Sequence, residues 1–525
     1  MAKVQRLSEL SQSLPFTEYE FYDLYQKTFE GTVLGMMKKV LPMREMADTF
    51  GMVNKRQVPR RGAKPYFSPE GKVALVFLKM YTQLSAPKLM EQLNGNIHYQ
   101  VFCGIRIAPE RPLKNYKLID DIAEELAGKM RVQKFQDVLA NAWKPYMKDL
   151  DTMYTDATCY ESEMRYPTDQ KLLWECVGKS YRIMCETSGR AGVRRPRTKF
   201  PDVEKANLSY RKQRKHSNAQ ARKMTRRLLN LLGKILKEIR RMEREHEGQE
   251  LLTVKEKSLV DIVTKVYRQQ RNHFDSGNRR ESIPDRIVSV SKPYVRPIVR
   301  GKEVKSVEFG AKCNNIMVDG ISFIEKLSFN AFNEGTRLRH CVKMHRRLFG
   351  VDVKKVGGDA GYAGTDNRDF CKENGIQTSF AKRGRPSQGK KNQDHVRQEL
   401  ARVRATAMEG SFGAQKEHYA MRRIKARKKE TEILYIFFGI HTANAVCLAE
   451  RLLGGREAEA ALSGGQKGYE TESCHGNSRM PMRKTGGYQQ NQTIMNSFGG
   501  KKRSKPSHLW RHHKKKQPFK SNRKN

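Results

Sequence analysis

The sequence predicts an α/β protein: a mixed sheet flanked by helices, with a helical N-terminal domain and a helical insertion. Three observations carry this expectation. Apolar residues in 1–150 fall at three-to-four-residue spacing. Runs of β-branched and aromatic residues begin at Asp151 and return at Val288. The polar stretch between them carries two helical apolar stripes.

Length and charge bound the function. A chain of 525 residues is long for one ordinary core, and the length prior suggests about three domains. Lysine and arginine number 102 against 56 acids, a net charge of +46, and a field of that sign attracts polyanions. Nucleic acid is the leading partner class. An anionic membrane surface is the competitor, but it is usually met by a compact basic helix or tail, whereas this excess is spread over the whole chain. The N-terminus has no apolar core of signal-peptide length, and no stretch approaches the roughly 20 apolar residues of a membrane span. The greasiest run, Ile433 to Ile440, reads as a buried helix. Nine scattered cysteines without a CxxC pair indicate neither a disulfide framework nor a zinc ribbon. His340, Cys341 and His345 lie close together but lack a second ligand pair. A reducing cytoplasm fits this usage.

In residues 1–150 the clearest helix starts at Ser68-Pro69-Glu70, where Ser caps, Pro suits the first helical position and Glu favours the dipole. Val73, Val76, Phe77, Met80 and Leu84 continue it. Ser85-Ala86-Pro87 breaks and restarts the helix with Leu89, Met90 and Leu93 on its buried face, and Asn94-Gly95-Asn96 ends it. Two short helices and a tight turn suit a helix-turn-helix DNA reader and serve equally as plain scaffolding. Lys55 to Lys64 reads as a basic solvated loop.

Thr152 to Thr158 reads as a strand with Asp156 near its end. The insertion follows. Met224, Leu228, Leu231, Ile235, Ile239 and Met242 form one stripe, and Leu259, Ile262, Val263 and Val266 another, so an antiparallel helical hairpin is expected. Its outer face, with Arg222, Lys223, Arg226, Arg227, Lys234 and Lys237, is either an ordinary solvated surface or a DNA-backbone track. Beyond it, Asp319-Gly320 supplies a hairpin turn between Asn315–Val318 and Ile321–Leu327. A helix from about Glu334 to Leu348 leads to Lys355-Val356-Gly357-Gly358-Asp359, a short strand ending in an aspartate among glycines. A short helix, a strand from Gln377 to Phe380, and the basic loop Lys382-Arg383-Gly384-Arg385 come next. In the stretch Arg402 to Lys416, RVRATAMEGSFGAQK, residues Arg402, Glu409 and Lys416 recur at seven-residue spacing. With about 20° of drift per step they share one helical face, an arrangement an ordinary amphipathic helix also shows. Gly410 and Gly413 in that helix signal either close approach of its backbone or a local break.

With the insertion set aside, this is the element order of a ribonuclease-H-like fold. Three carboxylates, Asp156, Asp359 and Glu409, come from two strand ends and one helix. Hard oxygen ligands of this kind hold Mg²⁺ or Mn²⁺, and two such ions serve phosphodiester cleavage.

These stretches resemble bacterial insertion-sequence transposases with a DDE triad. The likeness lies in TDATCYESEMRYPTDQKLLWE at 155–175, VEFGAKCNNIMVDGISFIEKLSFNAFNEG at 307–335, GGDAGY at 357–362 and RATAMEGSFGAQKEHYAMRRIKAR at 404–427. The segment at 68–105 also looks like the helical domain ahead of such a catalytic domain. The resemblance covers about residues 20–450. It implies Asp156, Asp359 and Glu409 as catalytic metal ligands for two Mg²⁺ or Mn²⁺ ions, with Arg402 and Lys416 approaching DNA phosphates. It implies cleavage at the element ends, transfer of the 3′ hydroxyl ends to target DNA, and a homodimer or larger synaptic complex on double-stranded DNA in the bacterial cytoplasm, with no membrane. A ribonuclease-H-like nuclease without strand transfer, or a non-catalytic DNA-binding relic, is the alternative. The expected domains are 1–150 (helical, DNA-binding), 151–165 with 300–450 (catalytic), 166–299 (insertion) and 451–525. The last is rich in Gly, Ser, Asn and Gln and then strongly basic, a composition that cannot bury a core and is expected to be disordered.

Overall fold

The computed structural model describes residues 4–6, 18–52, 65–277, 282–299, 307–381 and 391–464. The expected basic loops at 55–64 and 382–385, and the tail from 465, lie outside the described residues.

The N-terminal part is built from β1 (Val4–Arg6), α1 (Glu18–Glu30), α2 (Val33–Val40), α3 (Met43–Thr49), α4 (Pro69–Thr82), α5 (Ala86–Gly95), α6 (Ile97–Cys103), β2 (Ile105–Ile107), α7 (Lys117–Lys129) and α8 (Val132–Trp143). The hydroxyl of Ser68 accepts from the Gly71 N–H at 3.0 Å, so the expected cap of α4 forms. Val73, Val76, Phe77 and Met80 are buried, as are Leu75 and Leu78 between them, which makes α4 an interior helix. α5 exposes Lys88, Glu91 and Gln92.

The sheet comprises β3 (Thr152–Ser162), β4 (Pro297–Val299), β5 (Val307–Val318), β6 (Ile321–Ser328), β7 (Lys355–Gly357), β8 (Gln377–Thr378) and β9 (Arg423–Ile424). Its path runs β6-β5-β3-β7-β8, with β4 also on β5 and β9 also on β3. β5 is antiparallel to β3 and β6; β7 is parallel to β3 and β8. Asp319 and Gly320 both take positive φ, 47° and 78°, as the tight β5–β6 turn demands. β3 is longer than its sequence suggests: pairing with β5 extends from Met153 to Glu161, which leaves Asp156 in the middle of the strand, opposite Asn315. On its other side β3 pairs with β7 only over Thr152–Tyr154 and with β9 only over Glu161–Ser162. The sheet therefore forks beside Asp156.

One face of β3 meets α13 (Leu338–Phe349), where the Thr155 hydroxyl lies 3.4 Å from the Cys341 thiol. α14 (Thr365–Glu373) links β7 to β8. The other face carries α15 (Lys391–Val403), a π-helical turn (Arg404–Met408) and α16 (Glu409–His418). α17 (Lys429–Gly464) packs on α2, α4, α7 and β6, so a single apolar core runs from the N-terminal helices through α17 into the sheet. Contrary to the sequence expectation, a stretch of α17, Lys429–Gly455, is long and apolar enough to cross a membrane. It is 83% buried within this protein, which accords with a buried helix.

The insertion consists of α9 (Asp169–Arg190), α10 (Phe200–Lys212), α11 (Asn218–Glu245) and α12 (Val254–Ser276), with a second core of its own. Capping boxes at Ser217/Gln220 and Thr253/Glu256 start α11 and α12. All six residues of the first expected stripe are buried. They face α9 as well as α12, so the expected hairpin is part of a larger helical bundle.

Candidate active site

Tyr154 and Gly357 are the last residues paired between the parallel strands β3 and β7. Asp156 and Asp359 each follow two residues later, where the pleat returns to the same face. Gly357 has to be glycine: a Cβ there would run into the ring of Tyr154 and approach the Leu400 carbonyl to 3.2 Å. The glycine before Asp359 thus lets β7, Tyr154 and α15 come together. Gly358 is fastened by Ser379, whose hydroxyl accepts from the Gly358 N–H at 2.9 Å and donates to its carbonyl at 2.7 Å.

The face bearing Asp156 is matched residue by residue by the π turn and α16. Tyr154 packs on Met317, Met408 and Phe412. Arg404 reaches Asp156, the Lys416 ammonium donates to the Thr158 hydroxyl at 2.8 Å, and the buried Tyr160 hydroxyl donates to Gln415 at 2.5 Å. Burial of Met408 and Phe412 anchors the segment, and Glu409 follows directly at the exposed start of α16.

Arg404 Nη2 lies 2.6 Å from Asp156 Oδ2 and 3.4 Å from Glu409 Oε1. Those two carboxylate oxygens are therefore closer together than the two distances combined, well within reach of shared ions. Asp156 is buried, and its other oxygen accepts from the Ala157 N–H at 2.7 Å. Asp359 is half-buried, oriented by the Gly361 N–H at 2.9 Å. Burial and then the nearby charge of Asp156 raise its pKa, opposed by Arg404. Burial would lower the pKa of Arg404, but the hydrogen bond it donates to Asp156 and the charges of Asp156, Asp359 and Glu409 hold it above the ordinary value. All three acids thus act on one guanidinium.

The shared face of Arg402, Glu409 and Lys416 does not survive intact. The π turn inserts extra backbone between Arg402 and Glu409, and its Thr406 hydroxyl donates to the Arg402 carbonyl at 2.8 Å. Arg402 is exposed, beside Tyr154, whereas Lys416 lies along β3. The break expected from Gly410 and Gly413 falls upstream of both, and neither glycine closely approaches other residues. No local signal in the sequence marks Arg404, because five-residue spacing to Glu409 brings two side chains together only across a widened turn.

The acids are hard oxygen donors gathered on a cation, a set that suits a divalent ion. Among the described residues, however, no three His, Cys, Asp or Glu side chains are drawn close enough to hold a metal directly. The arginine stands among them instead. Beside α16 a cleft of about 990 Å³ opens between the α4–α5 turn and the β9 segment, with Lys79, Lys416, Arg422, Arg423 and Lys425 on its walls.

Residues 22–124 match the model of a family described as Transposase domain (DUF772), and residues 356–441 that of the Transposase DDE domain. Both matches are to transposase families, and together they support an insertion-sequence DDE transposase. The second match spans Asp359 and Glu409, while Asp156 lies outside it. No curated protein and no solved structure matches the chain.

Proposed function

We propose that the chain cuts the ends of an insertion sequence and joins the freed 3′ hydroxyl ends to target DNA, with Asp156, Asp359 and Glu409 as its acidic triad. The observation that carries this reading is the pairing of Arg404 with both Asp156 and Glu409 at the fork of the sheet, where the charge of Asp359 also acts on the guanidinium. The strand order β6-β5-β3-β7-β8, with β5 antiparallel to β3, accords with a ribonuclease-H-like sheet.

Two Mg²⁺ or Mn²⁺ ions held by Asp156, Asp359 and Glu409 would supply Lewis-acid activation of the attacking and leaving oxygens of the phosphodiester. The chain's own part is placement. The Ala157 and Gly361 N–H groups aim Asp156 and Asp359, and Met408 with Phe412 seats Glu409 beside them. Arg402, Lys416 and the basic walls of the cleft neutralise DNA phosphates. Two element ends must meet one target, so the working form is a homodimer or larger synaptic complex on double-stranded DNA in the cytoplasm.

The test incubates purified protein with DNA carrying the element's own ends and a target plasmid, with and without Mg²⁺. Asp156→Asn, Asp359→Asn and Glu409→Gln are each expected to abolish cleavage while end binding persists. Cleavage retained by any one of them removes that residue from the triad, and cut ends that never join the plasmid leave a nuclease without strand transfer.

A further inference from the structure

The proposed chemistry leaves the helical insertion without a role. Within it, residues 194–227 carry thirteen lysines and arginines against two acids, Asp202 and Glu204. Every one of those thirteen cations is exposed, and none forms an ion pair among the described residues. Elsewhere in the insertion several cations have partners: Lys179 pairs with Glu175 at 3.0 Å, Arg190 with Glu256 at 2.7 Å, Arg241 with Glu238 at 3.2 Å, and Arg271 with Asp275 at 2.8 Å. Cations without a partner acid are thus densest in the α9–α10 loop, α10, the α10–α11 loop and the first turns of α11.

These groups stand on an ordered frame. Phe200, at the start of α10, stacks on Tyr181 of α9 with ring centroids 3.9 Å apart and planes 10° apart. At its other end Tyr210 stacks on His216 at 3.8 Å, folding the second loop back on the helix. Val203 and Asn207 are buried, leaving most of α10 turned outward. A helix of thirteen residues spans about 20 Å. Over that length a DNA duplex presents about twelve phosphate charges, comparable with the excess of cations here. Like charges held this way repel one another until a polyanion neutralises them.

We propose that this face of the insertion is a sequence-independent docking surface for the backbone of double-stranded DNA, separate from the triad. The choice of DNA as the polyanion rests on the transposase reading. Phosphate contacts of this kind set position and orientation rather than sequence.

The test measures binding of the full chain to a labelled duplex of arbitrary sequence across a salt series. Arg194→Ser, Arg195→Ser, Arg197→Ser and Arg214→Ser combined should reduce the slope of log affinity against log salt by about 3 to 4, since each phosphate contact contributes about 0.9. Arg241→Ser with Arg271→Ser, which removes two ion-paired cations of the same insertion, should leave the slope unchanged. All substituted residues but the half-exposed Arg271 are exposed, and unchanged thermal melts would confirm folding. An unaltered slope in the fourfold variant overturns the proposal, as does equal loss per charge in both variants. So does loss of binding to phosphatidylserine vesicles with the DNA slope intact, which would assign the face to a lipid surface. A wild-type chain that binds no duplex overturns this surface and the transposase reading together; a wild-type slope shared by the fourfold variant overturns only the surface.

Discussion

Arg404 and Asp156, 248 positions apart in the chain, form an ion pair of 2.6 Å in which the arginine side chain is 21% and the aspartate 9% exposed. Removing one member of such a pair leaves the other charge uncompensated. Arg404→Gln should therefore lower stability in metal-free buffer by about 2 kcal/mol. It should also enlarge the thermal shift caused by Mn²⁺, because the guanidinium occupies the position from which the carboxylates reach a cation. Calorimetric melts with and without Mn²⁺ check this; a shift no larger than that of the wild type would show that Arg404 does not compete with the ion.

Two glycines near the site should respond in opposite senses. Gly357→Ala drives a methyl into the Tyr154 ring and should destabilise the fold by about 1–3 kcal/mol. Gly413→Ala, within α16 with nothing near its added methyl, should stabilise by up to about 1 kcal/mol. Urea unfolding of the two variants side by side measures both, and a neutral Gly357→Ala would contradict the packing of Tyr154 on β7.

Glu256 supplies a pH dependence. The hydrogen bond from Arg190, and those from Thr253 at the start of α12, lower its pKa from the ordinary 4.5 to about 2. A depressed carboxyl means that the unfolded chain binds the proton first, so this contribution is complete above pH 4.5 and is lost as pH falls toward about 2. Glu256→Gln should cost about 1–2 kcal/mol at neutral pH. Its difference from the wild type should shrink through that acid window, and a difference constant with pH would rule out the charged pair as the cause.

Much of the fold is legible from local chemistry. The Ser68 cap, the Asp319-Gly320 turn and the apolar stripe of α11 declare themselves because each depends on neighbours in the chain. What is hidden depends on distant partners. The length of β3 is set by its pairing with β5, so Asp156 looks like a strand-end residue in isolation and is central in the sheet. The π turn arises where Met408 and Phe412 seat on Tyr154 and Met317, and it shifts Arg402 relative to Glu409 while making Arg404 the residue that meets the acids. The glycine-rich approach to Asp359 looks loose in sequence, yet Gly357 answers to a tyrosine more than two hundred residues earlier.

α17 also bears on how such a chain can change over evolutionary time. The helices of segment 22–124 cover one part of its surface and β6 another, so a gene encoding either portion alone would yield a product with bare apolar flanks. The two matched segments thus depend on one shared interior. The α9–α12 insertion encloses its own interior and enters the fold after β3, so its sequence can vary without rebuilding the core on which the sheet rests.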